Sequence, residues 1–320
     1  MASCIHRIRL RARAIASGQT GQAAVLSVVW MVVVLGFAGL VIDVGSWYRA
    51  QRNLQAQADA SALAGAQDLP NDVSNAPALA QDYASRNGFN LPSSGIQITQ
   101  DKAPNDSITV NVDKDQPTFF SKLFGLDTVP TRATATARSD LLGAARYVAP
   151  ITVNIAHPLL SGINGGKQCP CFGVATDLPL AKNGAPGAFG LLDLDNGTGN
   201  GSSTLGRWIH SGYDGDLYVD ASYSSNTGAK FNSTDIDNAL DFRTGTVLLF
   251  PVFDTITLQG TNAIYHVIAW VGFKLTGYRA TSGNTGDLYG SFTEIIWQGV
   301  PATSGNQPPN LGARTISLVH

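Results

Sequence analysis

An unbroken apolar run, Ala23 to Ile42 (AAVLSVVWMVVVLGFAGLVI), carries no charge and ends at Asp43. As a helix rising 1.5 Å per residue it is about 30 Å long, the thickness of a bilayer's hydrocarbon core, so it predicts one membrane span. Beyond it, DVGSWYRAQRNLQAQADASALAGAQD holds strong helix formers and no proline before Pro70, which predicts that the helix continues outward. Trp47, Ala50, Leu54, Ala58 and Ser61 fall on one helical stripe, and the many alanines give a surface that another helix can approach closely.

The pattern then changes. Ala78 to Asn90 predicts a helix ended by Gly88, Ile96 to Thr99 and Ser107 to Val112 alternate as strands, QPTFFSKLFGL predicts a second helix and TVPTRATATAR a third strand. From residue 146 the chain offers strand-like runs at Tyr147 to Ile155, Gly187 to Leu194, Thr246 to Phe253, Ile264 to Leu275 and Leu288 to Trp297, with short helices at Thr204 to His210 and Thr234 to Phe242. Ile264 to Leu275 contains His266 and Lys274 and is too short to be a second span. The expected fold class is α+β: a single N-terminal transmembrane helix continuing into an exported helix, a small α+β domain, then a mainly antiparallel β domain. The expected layout is a basic cytoplasmic tail (1–20), a transmembrane signal anchor (21–43), a membrane-proximal helix (44–69), the α+β domain (71–140) and the β-rich extracytoplasmic domain (146–320).

Charge sets the orientation. Arg7, Arg9, Arg11 and Arg13 precede the span with no acidic residue among them, which keeps the N-terminus cytoplasmic and exports the chain beyond the span. A cleaved secretory signal shares this layout. Against it, the apolar run is longer than an h-region, and the small-x-small triplet Ala62-Leu63-Ala64 comes some twenty residues late. With four of 21 basic residues before the span, the exported part is net acidic, which argues against nucleic acid as a partner. Membrane lipid is the first partner the span implies.

Here the residues carry a resemblance. The block from Gly21 to Ala66 resembles the N-terminal signature of the TadE/TadG-like proteins of the Flp (tight adherence) pilus assembly system. Its elements are Gly21-Gln22, the apolar span, Asp43-x-Gly45, Leu54-Gln55 and ADASALAGA, which holds Asp59, Ala62 and Gly65. The helix-strand pattern of 71–140 and the segment LLFPVFDTITLQGTNAIYHVIAWVGFKLTGY are similar, more loosely, to later parts of TadG-like proteins. The resemblance implies a structural component of the bacterial cell envelope in the inner membrane. Its implied partners are helices of other pilus-assembly proteins or pilins, or further copies of itself. In pilins a glutamate stands five residues after the cleaved glycine; here that position is Leu26, so the resemblance carries over anchoring first and pilin-type processing after Gly21 only as the lesser alternative.

Sites for chemistry are few. Asp193, Asp195, Asn196 and Thr198 concentrate oxygen donors in a glycine-rich loop of the kind calcium takes, against the simpler reading of a polar turn; Gly197 and the lack of a closing Glu break the EF-hand pattern. No other cofactor is called for. Cys169-Pro170-Cys171 lies outside, where thiols oxidise, and reads as a local bridge, as bonds to another chain, or as two thiols, the local bridge being preferred. Asp220-Ala-Ser222-Tyr-Ser224 spells the metal-dependent adhesion motif of von Willebrand A domains, without the α/β chain length that should follow. The five histidines show no metal spacing, and G-x-S-x-G, P-loop and H-E-x-x-H are absent. His266 is expected to be a hydrogen-bonded sheet residue, and His157 to lie at a strand end. The chain is therefore expected not to be an enzyme. The alternative is a surface-anchored, calcium-stabilised binding module or hydrolase using Asp193, Asp195, Cys169 and Cys171.

Overall fold

A computed structural model describes residues 20–180, 185–195, 197, 201–226, 230–258, 262–281, 285–303 and 305–319. Residues 1–19 of the expected tail, together with Asn196 and Thr198 of the expected calcium loop, lie outside these residues. One helix, α1 (Thr20–Gly65), contains both the apolar run and its polar continuation, followed by a 3-10 turn at Ala66–Asp68. Among the described residues it is the one helix long and apolar enough to cross a membrane. Helix α2 (Ala76–Arg86) comes next, and Gly88 takes the left-handed backbone (φ 75°) that ends it.

Two seven-stranded sheets, with a small two-stranded one beside them, complete the fold among the described residues. The first is built on β1 (Ile96–Thr99), β2 (Ser107–Pro117) and β3 (Thr128–Ala145), all antiparallel. The second contains β4 (Ile151–Asn154), β7 (Ala175–Pro179), β8 (Phe189–Asp193), β10 (Ala221–Ser225), β11 (Val247–Thr257), β12 (Ile264–Thr281) and β13 (Thr285–Thr293), in the order β10-β8-β4-β11-β12-β13-β7. Before β7 the chain makes the one-turn helix α3 (Pro158–Ser161) and the small hairpin of β5 (Ile163–Asn164) and β6 (Lys167–Gln168). Because β10 pairs with β12 as well as β8, the strands β10, β8, β4, β11 and β12 close into a ring. Helices α4 (Ser202–Ser211) and α5 (Thr234–Arg243) add Leu205, Ile209, Ile236 and Leu240 to the core around that ring. Strands enclosed on both faces need apolar residues on both, which is why LLFPVF in β11 is buried without alternation.

The chain then returns to the first sheet. After β9 (Leu217–Tyr218), β14 (Ile295–Ile296) and β15 (Gly299–Pro301), the last strand β16 (Ala313–Val319) pairs antiparallel with β3 from Leu141 to Thr136. Thus β3 and β16 each serve two cores. Ala133, Ala135 and Ala137 face the first, against α1 and α2; Leu142 and Ala145 face the second. On β16, Ala313 lies in the second core while Ile316 and Leu318 pack against the first.

The residues between β2 and β3 correct one expectation. QPTFFSKLFGL is not a helix: Pro117 ends β2, and only Ser121–Phe124 forms a 3-10 turn, closed by Gly125 at φ 85°. Leucine and phenylalanine gave the segment a helical spacing, but β2 and β3 stay in ladder register up to Pro117 and Thr128, leaving a hairpin tip too short for one. The sheet of 71–140 is not closed at residue 140 either, since β3 runs on to Ala145 and β16 supplies its far neighbour.

Candidate functional site

The residues of the N-terminal signature come together where α1 leaves its apolar run and meets the folded part. Asp43 is fully buried. Its carboxylate accepts hydrogen bonds from the backbone N–H groups of Phe119 (2.8 Å), Phe120 (3.1 Å) and Ser121 (2.6 Å), and from Ser121 Oγ (2.7 Å). It therefore caps the 3-10 turn at the tip of the β2–β3 hairpin from a different element, as a side chain at a helix N-terminus does locally. One turn earlier, Gly39 makes room for the Phe120 ring: a Cβ there would lie 2.5 Å from Cγ of that ring. At positions i and i+4 of one helix, a missing side chain and a carboxylate hold the same turn.

Farther along α1, Gln51 Nε2 donates to the Arg132 carbonyl (2.5 Å), while Gln55 Nε2 donates to the Thr134 carbonyl (3.0 Å) and to Asp59 Oδ1 (2.8 Å). These bonds set the register of the helix on β3. Leu54, Ala58, Ala62 and Ala66 are buried against Ala76, Ala80 and Ala84 of α2 and Ile108 and Val110 of β2. Gly65 is required by close packing, since a Cβ would lie 2.6 Å from Ile108 Cδ1 and 2.9 Å from the Ala76 carbonyl oxygen. The face carrying Leu54, Ala58, Ala62 and Ala66 is thus covered within the chain, while Ala56 stays exposed and Ala50 and Ala60 are half-buried. Small side chains do allow close approach, as expected, but the element that approaches is the protein's own α2 and sheet. Gly21 and Gly45 have no atom near their Cβ direction, and Gln22 is exposed.

The chemistry-bearing residues of the second sheet are placed separately. Asp193 is buried at the end of β8, with Ser224 opposite it in the ladder; Asp195 is exposed and accepts the Gly197 N–H (2.8 Å). Among the described residues no group of three or more His, Cys, Asp or Glu side chains could hold a metal ion. Cys169 and Cys171 are bonded to each other, with Cys169 buried and its N–H donated to the Gly162 carbonyl (2.9 Å). Asp220, of the adhesion-like motif, takes a left-handed backbone (φ 58°) before β10, an antiparallel strand, where that motif needs a parallel strand and helix.

Sequence reasoning missed one cluster. Asp254 and His266 face each other across β11 and β12, Nδ1 to Oδ1 at 2.8 Å, and Asp220 approaches Nε2 at 3.8 Å. Burial pushes the Asp254 carboxyl up, but hydrogen bonds from His266 and Thr255 outweigh it and hold it below its ordinary value. Both ring nitrogens face carboxylates, so the imidazole is not set against a hydroxyl or thiol nucleophile. Only strand register could have found this group. His157 is buried and caps α3, its Nδ1 accepting the Leu159 N–H (3.1 Å), and burial lowers its pKa.

Compared with known families, residues 21–68 match the Tad family model, Flp pilus-assembly TadE/G-like. The match covers α1 and the turn after it, and leaves both sheets outside. No curated protein and no solved structure matches the chain.

Proposed function

We propose that this chain is a single-pass structural component of Flp/Tad-type pilus assembly or related secretion machinery. Its N-terminus is cytoplasmic, its span crosses the inner membrane, and its two-sheet body is extracytoplasmic. The observation that carries the proposal is the continuity of α1: an exposed apolar run, Val25 to Ile42, passes without a break into a helix whose Leu54 to Ala66 segment is part of a folded core. A 46-residue helix is about 70 Å long, so the body and the span form one stiff rod, and force or displacement in the membrane is delivered to the β-rich part. The family match lies on this rod.

With the Leu54 to Ala66 face covered by the chain itself, helix partners of this protein meet it along residues 23–42, where the face is apolar and, among the described residues, free of protein contact except beside the hairpin tip at Gly39. Other assembly proteins, pilins or further copies of the chain are the expected neighbours there. The body offers its outer surface to envelope partners or to the growing fibre.

The test combines intact mass, N-terminal sequencing and protease digestion of spheroplasts with a deletion strain. A full-length N-terminus, an accessible body and loss of surface fibres on deletion, restored by the full chain but not by one lacking residues 1–42, support the proposal. A body protected in spheroplasts overturns the orientation; fibres unaffected by deletion overturn the assembly role and leave anchoring in place. Cleavage after Gly21 makes the protein a pilin-like subunit.

A further inference from the structure

We propose that the tip of the β2–β3 hairpin, residues 118–126, is a second membrane-contact element. It inserts among the lipid acyl chains of the leaflet nearest the folded body, alongside α1. This rests on α1 being the membrane span. Within eight residues the tip exposes Phe119 (64%), Phe120 (40%), Leu123 (82%), Phe124 (84%) and Leu126 (56%). Single exposed apolar side chains are normal on a protein surface, but a contiguous group of this size marks an interaction site.

The position of the tip identifies its occupant. The tip projects back along α1 past Asp43, and its Phe120 ring rests on Gly39. Phe120 and Phe124 share an apolar groove of about 360 Å³ with Val33, Gly36, Phe37 and Leu40 of the span. Those helix residues belong to the half of the apolar run nearest the body, so a bilayer that surrounds them surrounds the tip at the same depth.

The backbone is prepared for such a place. Hydrocarbon supplies no hydrogen bonds, so irregular chain at that depth must satisfy its polar groups within the protein. Asp43 takes the N–H groups of Phe119, Phe120 and Ser121. Leu123, Gly125 and Leu126 donate to the carbonyls of Phe120 (3.0 Å), Lys122 (3.1 Å) and Ser121 (3.2 Å), and the Thr118 hydroxyl donates to the Leu126 carbonyl. Lys122 is the one charged residue of the tip; its ammonium lies 3.8 Å from Asp127, and its stem is long enough to reach the headgroups. Toward the body the character changes at once, where Arg49, Asn53, Gln57, Lys114 and Gln116 line a polar pocket between helix and hairpin. The hairpin is thus apolar below Asp43 and charged above it, as a bilayer surface requires.

The test uses the full chain in phosphatidylcholine vesicles, with Cys4→Ser as background and one added cysteine in turn: Phe124→Cys at the tip, Val32→Cys in the span, Phe242→Cys on the body, where that side chain is 61% exposed. Labelling by a membrane-impermeant maleimide is normalised to detergent-denatured protein. The expected result is labelling at 124 slower than at 242 by about tenfold, close to that at 32. A bimane fluorophore at 124 and at 32, but not at 242, is then quenched by brominated phosphatidylcholine. Labelling at 124 as fast as at 242, with 32 protected, overturns the insertion of the tip while the span stands. Fast labelling at 32 overturns both. Protection at 124 without bromolipid quenching overturns lipid as the occupant and assigns the patch to a second copy of the chain.

Discussion

Two glycines of the N-terminal signature do different work, and substitution separates them. Alanine favours a helix over glycine by about 1 kcal/mol at an unhindered position. At Gly45, where nothing lies within 4 Å of the Cβ direction, Gly45→Ala is expected to keep that gain and raise Tm slightly. At Gly65 the new methyl meets Ile108 and the Ala76 carbonyl, and overpacking of about 1–3 kcal/mol exceeds the propensity gain, so Gly65→Ala lowers Tm. Thermal melts of the purified chain in detergent check the order; equal Tm values for the two variants would mean that α1 does not pack on α2 as described.

Asp106 gives the acid response. It is buried, and it accepts the N–H groups of Asp101, Lys102 and Ala103 at 2.8 Å each and the Ser107 hydroxyl at 2.9 Å. Burial raises its pKa, but these four donors together bring it below the ordinary 3.8. A carboxyl whose folded pKa is depressed contributes stability that is present above its unfolded pKa and is lost as pH falls through the folded value. Tm should therefore hold through neutral pH and fall below about pH 4. Asp106→Asn should start from a lower Tm at neutral pH and show a shallower acid decline. A wild-type slope retained in the variant would assign the response to other carboxylates.

At the scale of elements, β16 is the strand on which both cores depend. It occupies the edge of β3 from Leu141 to Thr136, and places Ala313 in one core and Ile316 and Leu318 against the other. Neither cluster is complete without it. A chain ended after Gly312 is expected to lose the protection of β3 backbone amides in hydrogen exchange and to melt at lower temperature. The loss should be largest from Thr136 to Leu141, the stretch of β3 that β16 pairs with. Full retention of that protection would show the strand to be dispensable.

α1 shows the reverse dependence. An isolated helix gains most of its stability from packing, and here only the segment from Leu54 onward has a core to pack on. Among the described residues the preceding apolar run meets protein only beside the hairpin tip, at Gly39 and the buried Asp43, so in the proposed arrangement lipid completes it. The same junction decides the hairpin tip, because the carboxylate that ends the apolar run is the group that holds the tip in shape. Protease protection in spheroplasts and labelling of the tip in vesicles thus probe two faces of one arrangement.

At the scale of the whole molecule, local pattern and long-range contact divided the information. The apolar run and the helix beyond it were legible because both depend on composition over successive residues, which the chain states directly. Strands β1, β8 and β12 and helices α4 and α5 were legible for the same reason, each beginning within two or three residues of its expected start. The hairpin tip was misread because Leu and Phe at helical spacing carry the same signal whether they face a core, another helix or a membrane. The alanines were read as a surface that another helix can approach closely, and within this chain the helix that approaches is α2; composition says how near a partner can come and not which partner comes. The role of Asp43, the pairing of Asp254 with His266, the return of β16 to β3 and the closing of the strand ring join residues far apart in sequence. No local pattern encodes them; only the tertiary structure, by fixing which backbone donors and apolar faces lack a partner until a distant segment supplies one, decided them.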